Sequence, residues 1–204
     1  MQVQRKAKIV PTNYIRIGLA KESDLKNYTE LLQRVYQKSY TDNKIGLTAD
    51  CFSMEVFSTP YTQKYLSSNL KQSSSQRTWL AFSDSKLVGS ITITDKGEEC
   101  ELRGFYVYVN LQRRGIGKKL LGYALDFAKA KNISLDLYAH NHKTINLYKK
   151  WGFEIDKQKG VFYRHWPEWP ESLRAKCIYM KLEADKVREL LKKIRLNEAE
   201  NIRK

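Results

Sequence analysis

The feature that most constrains the fold is a strand-like run that leads through a glycine-containing loop directly into an amphipathic helix. Residues 99–109 are rich in the β-branched and aromatic side chains typical of strands. Residues 116–131 carry apolar side chains at helical spacing, and residues 133–139 again alternate like a strand. A strand, a helix and a second strand in close succession form a βαβ unit, so we expect residues 99–109 and 133–139 to be parallel neighbours.

The remaining segments add antiparallel hairpins and further helices around this unit. Ser23 is expected to cap the first helix, and Pro60 to interrupt a less regular helical region. Asp84-Ser85 and Lys96-Gly97 are expected to form hairpin turns. The sequence therefore predicts a mixed α/β sheet. The other expected elements are strands at 14–20, 78–83, 86–94, near 153–156 and at 177–182, and helices at 24–39, within 49–70, at 143–151 and at 184–203.

The loop at residues 112–118 has the composition of an anion-binding site. It opens a helix, where unpaired N–H groups and a partial positive charge favour an anion. Gly115 and Gly117 let the backbone approach phosphate oxygens closely, while three basic side chains supply charge nearby. The P-loop pattern is absent, and Leu120 occupies the position of the third glycine in a dinucleotide fingerprint. The alternative that the two glycines only form a turn stays open. The three basic residues are Arg113, Arg114 and Lys118.

Two motifs in order resemble the GNAT superfamily of N-acetyltransferases. The first joins Phe105-Tyr106-Val107 to the Gln-Arg-Arg-Gly-Ile-Gly run at residues 112–117, and the second covers residues 141–153. The resemblance implies a mixed, mostly antiparallel central sheet of about seven strands, with a splayed parallel pair and helices on both faces. It also implies an acetyltransferase domain over residues 12–183, followed by an amphipathic helical extension over residues 184–204.

The resemblance further implies a cofactor and the residues that would hold it. Acetyl-CoA would be the co-substrate, with its pantetheine arm between the splayed strands and its pyrophosphate at the glycine loop. The implied cofactor-binding residues are Phe105, Tyr106, Val107, Gln112, Arg113, Arg114, Gly115, Ile116, Gly117, Lys118 and Asn141.

The resemblance assigns catalysis to one tyrosine and, less directly, to one glutamate. Tyr148 matches the family's general acid, which protonates the departing thiolate, although a packing role on an amphipathic helix is the alternative. Glu101 is the candidate general base, with Glu98 and Glu99 as competitors and an ion pair as its alternative role. Uninterrupted alternation would place Glu101 on the face of Phe105 and Val107, whereas a bulge at Gly104 would shift its facing.

An aromatic and proline-rich loop at residues 161–173 is expected to border the acceptor pocket. Its aromatic faces and carboxylates would suit a cationic amine, and the alternative is a structural loop that covers the sheet edge. No metal site is expected, because the His140 and His142 pair near Asp136 lacks further ligands. The candidate acceptor residues are Tyr163, His165, Trp166, Glu168, Trp169 and Glu171.

The net charge limits the kinds of partner that the protein could bind. A net charge of +15 allows RNA binding, although it also suits mere solubility. The acceptor could therefore be a small-molecule amine, a protein amine or aminoacyl-tRNA, the last as in a GNAT-type toxin. A non-catalytic basic RNA-binding module with a degenerate GNAT fold is the alternative from another class.

Three cysteines without a Cys-x-x-Cys pair favour a reducing cytoplasm. Residues 1–10 are basic with no apolar run after them, so we expect no signal peptide. We also expect no membrane segment, because no apolar run approaches the ~20 residues that a span requires. Nothing in the sequence indicates an oligomeric state.

Overall fold

A computed structural model describes residues 15–202 and is built around one eight-stranded sheet. The strand order is β1-β2-β3-β4-β5-β8-β6, and β7 also pairs with β8. Every pairing is antiparallel except that of β4 with β5, which confirms the mixed, mostly antiparallel sheet. The strands are β1 (Ile15–Leu19), β2 (Gln76–Ser83), β3 (Lys86–Asp95), β4 (Glu99–Val107), β5 (Asn132–Tyr138), β6 (Glu154–Ile155), β7 (Val161–Arg164) and β8 (Ala175–Leu182).

Four expectations lie wholly or partly outside the described residues: the basic start at residues 1–10, the domain start at residue 12, the first residue of the strand at 14–20, and the last residues of the C-terminal extension. Among residues 15–202, no helix combines the length and apolar character needed to cross a bilayer.

Two local expectations were wrong. Residues 161–164 of the expected loop form a strand, β7, in which Phe162 and Arg164 are half-buried while Val161 and Tyr163 are exposed; the sheet thus has eight strands where about seven were expected. The first helix begins at Leu25 after a 3₁₀ turn, Glu22–Asp24, and Ser23 lies inside that turn. There the Lys21 N–H donates to Asp24 Oδ2 at 2.8 Å, and Asp24, not Ser23, is the N-cap residue of the helix, without a capping bond from its side chain.

Helices cover both faces of the sheet, as the resemblance implied. On one face, α4 and α6 pack together with the sheet, and Val187 and Ile194 of α6 are almost fully buried in that cluster. The other face is covered by α1, α2 and α3, whose apolar side chains meet Tyr138 and Cys177 of the sheet. The helices are α1 (Leu25–Tyr40), α2 (Met54–Phe57), α3 (Pro60–Leu70), α4 (Ile116–Ala128), α5 (His142–Lys150) and α6 (Ala184–Ile202).

The parallel strands β4 and β5 separate along their length. Their described pairing covers three positions, the last joining Glu101 to Ser134. Beyond this point β4 follows β3 as far as Val107, and β5 follows β8 as far as Tyr138. The facing edges of residues 102–107 and 135–138 therefore carry backbone groups that need partners from elsewhere.

A bulge in β4 changes the direction of its side chains. Ser90 pairs with Tyr106, but Thr92 pairs with Arg103, so β4 contains one residue more than β3 in this interval. Gly104 has φ of 56°, and its carbonyl accepts a hydrogen bond from Ser90 Oγ at 2.8 Å. This is the bulge that the sequence allowed at Gly104.

Candidate active site

The glycine loop leaves the first turn of α4 open to a ligand. Gly115 is the N-cap residue with φ of 82°, a conformation that favours glycine, and it offers no side chain to the free N–H groups. A Cβ at Gly115 would meet no atom within 4 Å, whereas one at Gly117 would lie 3.5 Å from the Phe105 ring. A side chain at Gly117 would thus meet β4 at ordinary contact distance, while Gly115 faces open space.

The other loop residues surround this open turn. Arg113, Arg114 and Lys118 are exposed, so their charges are available to an anion. Gln112 donates from Nε2 to the Val107 carbonyl at 3.2 Å, which ties the loop to the end of β4. Ile116 is buried in the core, so only its backbone could face a cofactor.

The region where β4 and β5 part, residues 102–107 and 135–138, is called the splay. Along it, the side chains of β4 point alternately to the two faces of the sheet. Phe105 stacks on Trp151 at 5.8 Å between ring centroids, on the α4 face. Tyr106 points to the α1 face, where its hydroxyl lies 2.7 Å from that of Tyr36. The splay is thus walled by aromatic rings on both faces.

Tyr148 lies against the splay on the α4 face. Its ring contacts Phe105, Trp151 and Phe153 at centroid distances of 6.4, 5.7 and 5.2 Å. Burial raises the pKa of the Tyr148 hydroxyl well above the ordinary value, so the group stays protonated at neutral pH and can act as a donor. Asn141 is the N-cap of α5, and its Oδ1 accepts from the Thr144 N–H at 3.2 Å.

Glu101 lies on the opposite face from Tyr148. Cys100 and Leu102 pack in the α4 cluster, so alternation directs Glu101 towards the α1 face, and the bulge returns Phe105 and Val107 to the α4 face. The Glu101 carboxylate is about one-third exposed and lies 3.5 Å from Lys96 Nζ.

The two competing glutamates lie nearer the β3–β4 turn than Glu101 does. Glu99 forms an ion pair with Lys159, and Glu98 is exposed in the β3–β4 turn. Only Glu101 therefore stands at the last paired position before the splay.

Sequence reasoning missed three polar side chains on the α1 face near the splay. Asp136 of β5 lies two residues beyond Ser134, where the strands have begun to part, and Arg164 of β7 binds it at 2.5 Å. Tyr36 of α1 completes the set through its contact with Tyr106. Tyr36 lies on the apolar face of its helix, so the sequence could not distinguish it from a core residue. Asp136 could have been identified, because it is the one carboxylate in an apolar strand.

The hairpin after β7 brings only part of the predicted acceptor set together. Trp166 and Trp169 stack 5.7 Å apart, and Trp166 reaches Tyr36 at 5.6 Å. Trp169 itself is 4% exposed and donates from Nε1 to the Cys51 carbonyl at 3.0 Å, so it belongs to the core. Glu168 accepts from the Thr59 hydroxyl at the start of α3.

The remaining members of that set lie apart from the splay. Tyr163 is 61% exposed on β7, on the opposite side of the strand from Arg164. The His165 Nδ1 atom lies 3.0 Å from the Leu173 carbonyl, and Glu171 is exposed.

Comparison with known proteins agrees with this geometry. The model of the acetyltransferase (GNAT) family matches residues 32–153. The fold resembles the PaiA N-acetyltransferase of Thermoplasma acidophilum, solved in complex with coenzyme A, at 19% identity and a TM-score of 0.61, covering 83% of this chain and 99% of that one. It also resembles the ribosomal-protein-S18-alanine N-acetyltransferase of Escherichia coli, at 20% identity and a TM-score of 0.59, covering 83% and 93% of the two chains. With more than half of its length matched by the family model, the chain belongs to the GNAT acetyltransferase family.

Proposed function

We propose that this protein transfers an acetyl group from acetyl-CoA to a primary amine by direct attack. The observation that carries the proposal is the splay of β4 from β5 beside an uncapped helix N-terminus. The backbone groups at the splay would bind the amides of the pantetheine arm as a neighbouring strand would. The open turn at Gly115, with Arg113, Arg114 and Lys118 around it, would hold the pyrophosphate.

The chemistry requires one bond to form and one to break. The neutral amine nitrogen attacks the thioester carbonyl, the new N–C bond forms, and the C–S bond breaks with its electron pair on sulfur. Tyr148 donates a hydrogen bond or its proton to that sulfur, and burial keeps its hydroxyl protonated until then. Glu101, on the opposite face of β4, accepts the proton that the amine loses, directly or through water.

The placement of these two groups supports a two-sided site. Tyr148 approaches the splay from the α4 face, while Glu101 and Asp136 lie on the α1 face. An amine that enters from the α1 face would meet carboxylates, and the thiolate would leave beside the tyrosine. The acceptor thus would lie between α1 and the hairpin that carries Trp166.

The described cysteines support a cytoplasmic location as part of the proposal. Cys51, Cys100 and Cys177 are free and buried. Burial raises the pKa of the Cys100 and Cys177 thiols to about 11, so both are unreactive at neutral pH.

Calorimetric titration with acetyl-CoA tests the proposal. Wild type should bind, and Gly115→Glu should bind at least tenfold more weakly, because its carboxylate would occupy the pyrophosphate position. Gly97→Glu is the matched control: Gly97 also has positive φ and open space around its Cβ position, but it lies at the other end of β4. Absence of binding by folded wild type, or equal weakening in both variants, would refute the proposed cofactor site.

A further inference from the structure

A polar groove lies between α1 and the turn that follows β4. Its volume is about 370 Å³, and it is lined by Arg34, Gln37, Lys38, Tyr108, Val109 and Asn110. A volume near the lower end of the range for small-molecule sites suits a compact group rather than a nucleic acid duplex.

The lining of the groove carries two positive charges and no negative charge. None of its lining residues is acidic. Arg34 and Lys38 are exposed and stand one helical turn apart, and within residues 15–202 neither forms a salt bridge. Like charges at this spacing repel each other, so the pair destabilises an empty α1 and would be relieved by a bound anion. The Tyr108 hydroxyl and the Asn110 amide can add hydrogen bonds.

The groove adjoins the proposed site on the acceptor side. In sequence, Tyr36 lies between the two cations; it projects from the buried side of α1, where its hydroxyl touches that of Tyr106 in the splay. Tyr108 directly follows the last residue of β4. Since α1 covers the face to which Glu101 points, the groove lies on the side of the sheet from which the amine would enter.

The phosphates of the cofactor have a different set of cations. Arg113, Arg114 and Lys118 surround the first turn of α4, and α4 covers the opposite face of the sheet. The cofactor phosphates therefore do not require Arg34 and Lys38, and this pair can bind the amine acceptor. We infer that the groove binds an anionic group, a carboxylate or a phosphate, carried by the amine acceptor. This inference rests on the proposed acetyl transfer.

Acceptor pairs that differ only in this charge test the inference. Each amine is supplied with the anionic group and with an uncharged replacement: Gly-Asp amide against Gly-Asn amide, β-alanine against β-alaninamide, and O-phosphoserine amide against serine amide. Release of coenzyme A thiol reports turnover. For wild type we expect kcat/KM to be at least tenfold higher for the acidic members, and the carboxylate and phosphate arms identify which anion is preferred.

Charge reversal on α1 completes the test. Arg34→Glu/Lys38→Glu should abolish or invert the preference through KM, with the Kd for acetyl-CoA unchanged. Arg188→Glu/Lys192→Glu is the matched control, because it reverses two exposed cations at the same spacing on α6 and should keep the preference. The inference is overturned if wild type prefers the neutral amines, or if the preference for acidic amines survives charge reversal on α1. In either case, acetyl-CoA binding by wild type would still support the proposed function. Loss of acetyl-CoA binding in the α1 variant would instead assign the groove to the cofactor.

Discussion

At the scale of single residues, the Tyr148 hydroxyl carries the sharpest chemical expectation. Tyr148→Phe keeps the ring that packs on Phe105, Trp151 and Phe153 and removes only the proton donor. We expect kcat to fall about 10²-fold or more, since general acids commonly contribute that much. Steady-state kinetics, with the Kd for acetyl-CoA measured alongside, should show the loss in kcat alone.

The control for Tyr148 is another tyrosine hydroxyl remote from the splay. Tyr123 of α4 is 45% exposed, and Tyr123→Phe should leave kcat within a factor of two or so. A Tyr148→Phe enzyme with undiminished kcat would show that this tyrosine only packs, and the thiolate would need another donor.

At the scale of elements, the bulge in β4 depends on Gly104. A Cβ there would lie 3.0 Å from both Thr92 Oγ1 and the Tyr28 hydroxyl, in backbone with φ of 56°. We expect Gly104→Ala to lower the free energy of unfolding by about 2 kcal/mol or more, from strained backbone and overpacking together. Urea unfolding measures the change.

Gly97→Ala separates the two causes of that loss. Gly97 has φ of 96° and no atom within 4 Å of a Cβ, so only the backbone strain of about 1 kcal/mol applies. If Gly104→Ala and Gly97→Ala lose the same free energy of unfolding, the close contacts of the added Cβ with Thr92 and Tyr28 contribute nothing to the loss at Gly104.

The elements also show how far the sequence could be read. The loop at residues 112–118 and the helix after it were predictable, because glycine conformation and helical periodicity are local properties. The face of the sheet to which Glu101 points was not predictable. One inserted residue at Gly104 reverses it, and the same sequence is compatible with a strand with or without that bulge. Tyr36 and Arg34 were beyond reach for another reason: which helix covers the splay depends on long-range packing, not on the sequence of α1.

At the scale of the whole molecule, buried and half-buried tyrosines should set the alkaline limit of stability. Burial raises the pKa of Tyr40 to about 12, and burial also raises the pKa values of Tyr28, Tyr36, Tyr106 and Tyr138 above the ordinary value. Phenols in the unfolded chain ionise near pH 10, so the stability from keeping them neutral is complete below pH 10 and declines as pH rises above it.

Unfolding experiments between pH 8 and pH 12 test this expectation. Each buried phenol should contribute a decline of up to about 1.4 kcal/mol per pH unit above pH 10. Tyr40→Phe should flatten the decline by one such contribution between about pH 10 and 12, whereas Tyr163→Phe, at an exposed position, should leave it unchanged. The same slope in Tyr40→Phe and wild type would contradict the assignment.

The parting of β4 from β5 also links the folding of the protein to its ligand. Where the strands part, the sheet has two internal edges whose backbone groups need hydrogen-bond partners. On the proposed function, acetyl-CoA supplies those hydrogen bonds. A ligand that binds only the folded state at 100 times its Kd adds about 2.7 kcal/mol to that state. The supply of activated acetate in the cell would then govern how long each copy of the enzyme resists unfolding and proteolysis, as well as how fast it works.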